Sequence, residues 1–186
     1  MVERQLFWRL MRRKSCLLAI MLCAIGTIAF AQEKNPVTKA VQGMLQRQQR
    51  DIIAAVQEMP ADKFGFKPTP DQITFGHLAL HILESNNLLC SKIGDMAPPP
   101  EKQPAETAGK DLLMAALTRS FEFCNAALEK MDDSKLGETV QLFGGRSGTR
   151  ASAMIHLASG WADHYSAAAQ YLRLNGLVPP AAQKKD

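Results

Sequence analysis

Apolar residues recur at helical spacing along four long segments of the chain, which are separated by stretches rich in proline and glycine. The first segment runs from Pro36 to Glu58; proline suits the first turn of a helix, and Pro60 ends the pattern. The second segment begins near Thr74, a residue that favours the N-cap position, and continues to about Ile93. We therefore predict one helix over each segment.

Two further helices are predicted in the C-terminal half of the chain, over residues 110–131 and 149–175. Gly176 follows the last of them, where a residue in the left-handed conformation commonly ends a helix. Between these two helices lies a glycine-rich stretch, residues 136–150, with Val140, Leu142 and Phe143 in a piece that we expect to be short and extended.

The connection between the second and third predicted helices, residues 96–109, contains four prolines. We expect it to be extended and long enough to cross a bundle rather than merely reverse the chain direction. No alternating strand pattern of useful length and no internal repeat is found. The pattern as a whole predicts an all-α protein, a four-helix bundle, whose binding sites normally lie between facing helices.

The N-terminal residues 1–31 have the pattern of a secretory signal peptide. Five basic residues and one acid fall within residues 1–14, and the 16 residues from Ser15 to Phe30 carry no charge. Ala29, Phe30 and Ala31 then supply the small-x-small pattern of a cleavage site. A membrane anchor is the alternative, but it needs about 20 apolar residues. We expect cleavage after Ala31 and a periplasmic or secreted protein.

Removing residues 1–31 changes the charge of the chain. The segment holds five of the 22 basic residues and one of the 18 acidic residues, so residues 32–186 carry 17 of each. The positive charge belongs to the export signal, so we expect no nucleic-acid partner and no membrane partner after cleavage. Residues 36–182 are predicted to form one domain.

Two cysteines, Cys90 and Cys124, lie in the predicted domain. An exported chain meets oxidising conditions, which favours a disulfide between them. The alternative is a pair of buried free thiols, and the sequence does not decide between the two. Neither cysteine lies in a CxxC motif or near a histidine in sequence, which argues against thiol catalysis.

The four histidines form two pairs on predicted helices, and imidazole is the commonest neutral nitrogen ligand for transition metals. His77 and His81 are four residues apart, so they lie on one helix face about 6 Å apart. His156 and His164 are eight residues apart, about 12 Å along a helix, so only one of them can join a shared metal site.

His164 is the better candidate of that second pair, because it shares a stripe with Leu157, Trp161 and Tyr171. Spacing therefore predicts a divalent-metal site of His77, His81 and His164 with water as a fourth ligand, and zinc or nickel as the ion. Asp163 and Glu84 are candidate accessory carboxylates. Partly buried histidines that bind no metal are the alternative, and spacing gives the two about even weight.

The segments TFGHLALHILESNNLLCSKI and HLASGWADHYSAAAQYLRLNGLVPP resemble the DinB superfamily, and the resemblance extends over residues 36–182. It implies an up-down-down-up four-helix bundle with a long crossover between helices two and three, which residues 96–109 suit. It also implies a homodimer, since many members are dimers.

The resemblance implies a metal triad with one histidine on the second helix and a His-x-x-x-His pair on the fourth. His81 matches the first position and His164 the last, but Gly160 occupies the remaining one. Glycine has no side chain to coordinate an ion. We hypothesise that His77 compensates for it.

Two functions remain open on this basis. One is a metal-dependent enzyme, a transferase or hydrolase, since the resemblance implies thiol transferases and thiol-dependent isomerases. The other is a non-catalytic binding or stress-related module with a degenerate metal site, which Gly160 favours. The substrate, a small molecule, cannot be read from the chain.

Overall fold

Four helices occupy the described part of the chain, which comprises residues 33–105 and 107–184 of a computed structural model. They are α1 (Pro36–Glu58), α2 (Phe75–Gly94), α3 (Lys110–Glu129) and α4 (Arg150–Leu174). The four helices predicted from the sequence are confirmed, although α3 ends two residues earlier than expected. The predicted signal segment lies outside the described residues, so its cleavage stays a prediction.

Helices α2 and α3 run parallel to each other, as contacts at successive turns show. The Asn86 side chain donates to the Ser120 hydroxyl at 3.0 Å, and one turn further Cys90 is bonded to Cys124. Parallel neighbours need a connection that returns along the bundle. Residues 95–109 supply it, with prolines that suit an extended path.

Helices α1 and α4 run in the opposite direction. Lys110, at the start of α3, donates to the carbonyl of Met59, just beyond the end of α1, at 2.9 Å. The Tyr171 hydroxyl, near the end of α4, donates to the carbonyl of Ile73, just before α2, at 2.7 Å. These contacts confirm the up-down-down-up order of the four-helix bundle. α1 and α2 each pack against both α3 and α4.

Helix ends follow the sequence signals. Thr74 and Thr149 cap α2 and α4 with side-chain oxygens that accept from the backbone N–H groups of His77 and Ser152. Gly176, with φ of +76°, ends α4 in a Schellman motif: the Leu177 N–H donates to the Leu172 carbonyl and the Gly176 N–H to the Arg173 carbonyl.

A small antiparallel hairpin precedes α4. Strand β1 (Thr139–Gln141) pairs with β2 (Ser147–Thr149), which confirms the short extended piece but places it slightly earlier than predicted. Gly144 and Gly145 have φ of +63° and +73° in its turn, a conformation that costs glycine little. The hairpin packs beside α4 through both strands.

The core between the helices is apolar. Its largest fully buried side chains include Ile52 from α1, Phe121 and Leu128 from α3, and Trp161 from α4. Met59, in the α1–α2 connection, is also fully buried. No helix among the described residues is long and apolar enough to cross a membrane.

The guanidinium of Arg150 joins three elements at the start of α4. It donates to the carbonyls of Lys92 and Ile93 at 2.6 and 2.8 Å and to the Glu138 carboxylate at 2.6 Å. The carbonyls are those of the last turn of α2, where a cation is favoured by the helix dipole. Arg150 thereby fixes the start of α4 against the end of α2.

The side chain of Asp133 caps α1 from outside the helix. Its carboxylate accepts hydrogen bonds from the backbone N–H groups of Val37 and Thr38 and from the Thr38 hydroxyl, at 2.6–3.0 Å. Burial acts to raise the pKa of Asp133, but these hydrogen bonds outweigh it and lower the pKa below its usual value.

We expect Asp133→Ala to lower the free energy of unfolding by about 1–2 kcal/mol at neutral pH, as loss of an N-cap does. A carboxyl whose pKa is lowered by folding stabilises the protein above its unfolded pKa of about 3.9 and loses that effect as pH falls through the folded value. Urea unfolding of wild type and variant should therefore differ at pH 7 and converge in acid. Asp62→Ala, at an exposed carboxylate, is the control; equal losses in both variants would contradict the capping role.

A disulfide joins Cys90 on α2 to Cys124 on α3, with both residues fully buried. Beside it the two helices come very close, since a Cβ placed on Gly94 would lie 2.7 Å from the Ala127 Cα. The structure thus favours the disulfide over the free thiols that the sequence left as the alternative.

Reduction of the disulfide should lower the free energy of unfolding by about 3–4 kcal/mol, the loop-closure value for cysteines separated by 34 positions in sequence. Urea unfolding with and without reductant measures this difference. A Cys90→Ala, Cys124→Ala variant should show no response to reductant. An unchanged midpoint in reduced wild type would contradict the expectation.

Candidate functional site

Two imidazoles from different helices meet between α2 and α4. The rings of His81 and His164 lie with centroids 5.0 Å apart and planes at 83°, an edge-to-face contact. His81 comes from the first half of α2 and is exposed; His164 comes from the second half of α4 and is half-buried. The two helices run antiparallel, which is why residues at these positions can meet.

His77, the third predicted ligand, lies one turn before His81 on α2 and is half-buried. It does not line the cavity that His81 and His164 share. The described residues contain no group of three or more His, Cys, Asp or Glu side chains placed to hold a metal ion. The three imidazoles therefore do not form such a group here, and metal binding stays a prediction.

A cavity of about 530 Å³ opens beside the two imidazoles. Leu89, Leu157 and Trp161 line it from α2 and α4, and Phe143 and Arg146 line it from the hairpin turn. Its volume falls within the usual range for small-molecule sites, and eight of its 13 lining residues are polar or titratable, a larger share than such sites usually have. The hairpin thus forms one wall of a cavity whose other walls are helices.

Trp161 is held in this cavity by a buried hydrogen-bond network. Its indole N–H donates to the Asn86 side-chain oxygen at 2.8 Å, and the Asn86 amide donates to Ser120 at 3.0 Å. Asn86 is fully buried and Trp161 almost so. Since the indole N–H is already satisfied, the small part of Trp161 that reaches the cavity is apolar ring.

Gly160 lies on α4 one turn before His164 and also lines the cavity. A Cβ placed on Gly160 would lie 3.6 Å from the His164 Nε2, an ordinary contact distance. A side chain therefore fits at this position. With glycine there, the space next to Nε2 remains part of the cavity.

Of the other titratable residues near His81 and His164, some line the cavity and others do not. His156 and Asp163 line the cavity from α4 and are exposed. Glu84, the other candidate accessory carboxylate, is exposed on α2 and does not line it. Burial is the main cause that lowers the pKa of His164; the nearby His81 lowers it further, whereas the Asp163 carboxylate acts to raise it.

Sequence reasoning missed Phe143 and Arg146, both of which line the cavity. Arg146 stands in the run Gly144-Gly145-Arg146-Ser147-Gly148, immediately before the helix that carries His164. An arginine in a glycine-rich turn next to that helix was the sequence signal that could have indicated a site residue. The sequence does not show that this turn folds towards α2, so the signal could not be interpreted without the structure.

The pKa of His164 should be lower than the ordinary histidine value of about 6.5. His81→Ala should raise it, because the variant removes a neighbouring charge and admits water; Asp163→Asn should lower it further. Histidine ring shifts followed by NMR against pH measure all three values. Since folding lowers this pKa, the neutral imidazole is favoured and its contribution to stability falls as pH drops below about 6.5. A His164 pKa that does not respond to His81→Ala would contradict the pairing.

Three solved structures resemble the chain over most of its length. A DinB-like protein from Bacillus subtilis has 18% sequence identity and a TM-score of 0.62, with 78% of this chain and 99% of that chain covered. A DinB-like protein from Bacillus cereus has 17% identity and a TM-score of 0.60, with 74% and 94% covered. A conserved protein from Enterococcus faecalis has 17% identity and a TM-score of 0.61, with 74% and 96% covered.

At these identities the likeness establishes the fold and nothing about activity. No curated protein matches the chain significantly. The sequence model of the DinB superfamily matches residues 44–166, which include α2, α3, the hairpin, and the part of α4 that carries His164. On this match the chain belongs to the DinB superfamily.

Proposed function

We propose that this chain is an exported DinB-superfamily protein that binds a small molecule in the cavity between α2 and α4, with His81 and His164 as its polar anchor. One observation carries the proposal: the two imidazoles meet at the wall of a cavity of about 530 Å³. Neither ring makes a hydrogen bond to another described residue. Their nitrogens are thus available to a ligand.

The uncharged segment Ser15–Phe30 supports export, and so does the disulfide between Cys90 and Cys124, since such bonds persist in oxidising compartments. The homodimer and the periplasmic or secreted location remain predictions within this proposal.

The residues present do not fit a three-histidine metal centre. His81 and His164 supply two imidazoles, Gly160 supplies none, and no third side chain of the described residues completes a group. A tetrahedral catalytic site usually takes three protein ligands and one open position. No step of the proposed function therefore depends on a metal ion.

A metal-dependent transferase or hydrolase is the second candidate. The contact between His81 and His164 favours it, because two of the three expected metal ligands lie close together. It requires that the wild type binds an ion with full occupancy despite Gly160.

Restoring the missing imidazole tests the two candidates against each other. Gly160→His adds a ligand four residues before His164, where the structure has room for a Cβ. We expect calorimetry to show no stoichiometric zinc or nickel binding by the wild type at micromolar metal. We expect one ion per chain in Gly160→His, lost again when His81→Ala is added. Gly43→His, at an exposed position on α1, is the matched control.

Stoichiometric metal in the wild type that disappears in His81→Ala would contradict the first candidate and favour the second. Gly160→His without metal binding would contradict the second candidate, which requires His81 and His164 to reach one point in space.

A further inference from the structure

We propose that the small molecule bound between α2 and α4 is a carboxylate with an apolar body, held at its charged end by Arg146. This inference rests on the proposed function and names the ligand class for the same cavity. It follows from which groups of the cavity already have partners and which do not.

Arg146, an exposed residue, brings a permanent positive charge to the cavity wall. Its Nε makes one long hydrogen bond, 3.5 Å, to the Phe143 carbonyl, and it forms no ion pair within residues 33–105 and 107–184. Arg150, four residues on, is buried against the Glu138 carboxylate and two carbonyls. The two arginines of this region thus differ: Arg150 is structural, and Arg146 has its donors available.

The hairpin turn places this charge. Gly144 and Gly145, both at positive φ, close the turn, and the Leu142 N–H donates to the Arg146 carbonyl at 2.7 Å. The Leu142 side chain lies close against Gly148 beside the turn, since a Cβ on Gly148 would lie 2.5 Å from the Leu142 Cδ1. Phe143 and Arg146 consequently line the same cavity from one short loop.

The apolar part of the lining suits an apolar body. Leu89, Leu157 and Trp161 are at most 2% exposed, so only their edges reach the cavity, and the half-buried Phe143 supplies its more open apolar surface. The Trp161 N–H is already bonded to Asn86. The Asp163 carboxylate, also in the lining, repels an anion, whereas the Arg146 guanidinium attracts one. Guanidinium binds carboxylate with two parallel charge-assisted hydrogen bonds, a geometry that neither imidazole can supply.

Trp161 itself reports on occupancy of the cavity. The chain has two tryptophans, Trp8 and Trp161, so a full-length chain carrying Trp8→Phe has one indole, on the cavity wall. The probes are three single-ring compounds of one shape and different charge: benzoate, benzamide and benzylamine. Each compound is titrated into the protein while the fluorescence emission of Trp161 is recorded. Calorimetry then repeats the titration of the compound that binds most tightly.

We expect benzoate to bind at least ten-fold more tightly than benzamide or benzylamine. Arg146→Ala should weaken benzoate binding at least ten-fold and leave benzamide binding within two-fold. Arg47→Ala, which removes an exposed arginine on α1, is the matched control and should change neither. Circular dichroism and the unfolding midpoint of each variant show that the fold is kept.

Benzamide or benzylamine binding as tightly as benzoate would overturn the carboxylate assignment while leaving the proposed small-molecule site intact. Benzoate binding that survives Arg146→Ala would overturn the role of Arg146. Absence of any response from all three probes would overturn this inference, and the proposed function with it if a wider set of neutral and charged compounds also fails.

Discussion

The hydrogen bond from the Trp161 indole to the Asn86 side chain fixes α4 against α2, and the site depends on it. Asn86 is fully buried and reaches three helices: it accepts from Trp161 on α4 and donates to Ser120 on α3 from its own place on α2. A buried donor or acceptor left without its partner costs about 1–3 kcal/mol, so other registers of these helices are disfavoured. In this register His81 and His164 face each other, and the Trp161 ring faces the cavity.

The same register leaves an open cavity beside the two imidazoles. Gly160 and the hairpin turn line this space of about 530 Å³. Burial and the neighbouring ring lower the pKa of His164 and favour its neutral form, in which it offers hydrogen-bonding nitrogens. The permanent charge comes from Arg146, on a separate element. In the proposed ligand site, the helices thus supply the imidazoles and the hairpin supplies the permanent charge.

Much of the fold could be predicted because it depends on local signals. Proline at the start of α1, threonine caps before α2 and α4, and Gly176 after α4 each act within one turn of chain, and the helices begin and end where these residues are. The hairpin was predicted only in part, because strands of three residues are too short for alternation to show.

The site was less accessible to sequence reasoning. Spacing places His77 and His81 on one face of α2, but it cannot say which of them faces α4. That choice depends on the rotation of the helix, which the buried contacts of Asn86 and Trp161 set. Arg146 was missed for a related reason. The conformation of its turn brings this loop residue to the site, and the spacing of apolar residues along the sequence does not predict that conformation.

Histidine ring protons offer the most direct measurement of the central claim, that α2 and α4 bring two imidazoles into contact at one cavity. In a nuclear Overhauser spectrum of uniformly labelled protein, rings with centroids 5.0 Å apart should give a cross-peak between His81 and His164. His156 should give none with His81. A spectrum in which Phe121 and Trp161, at 6.1 Å, show a cross-peak while His81 and His164 do not would contradict the account.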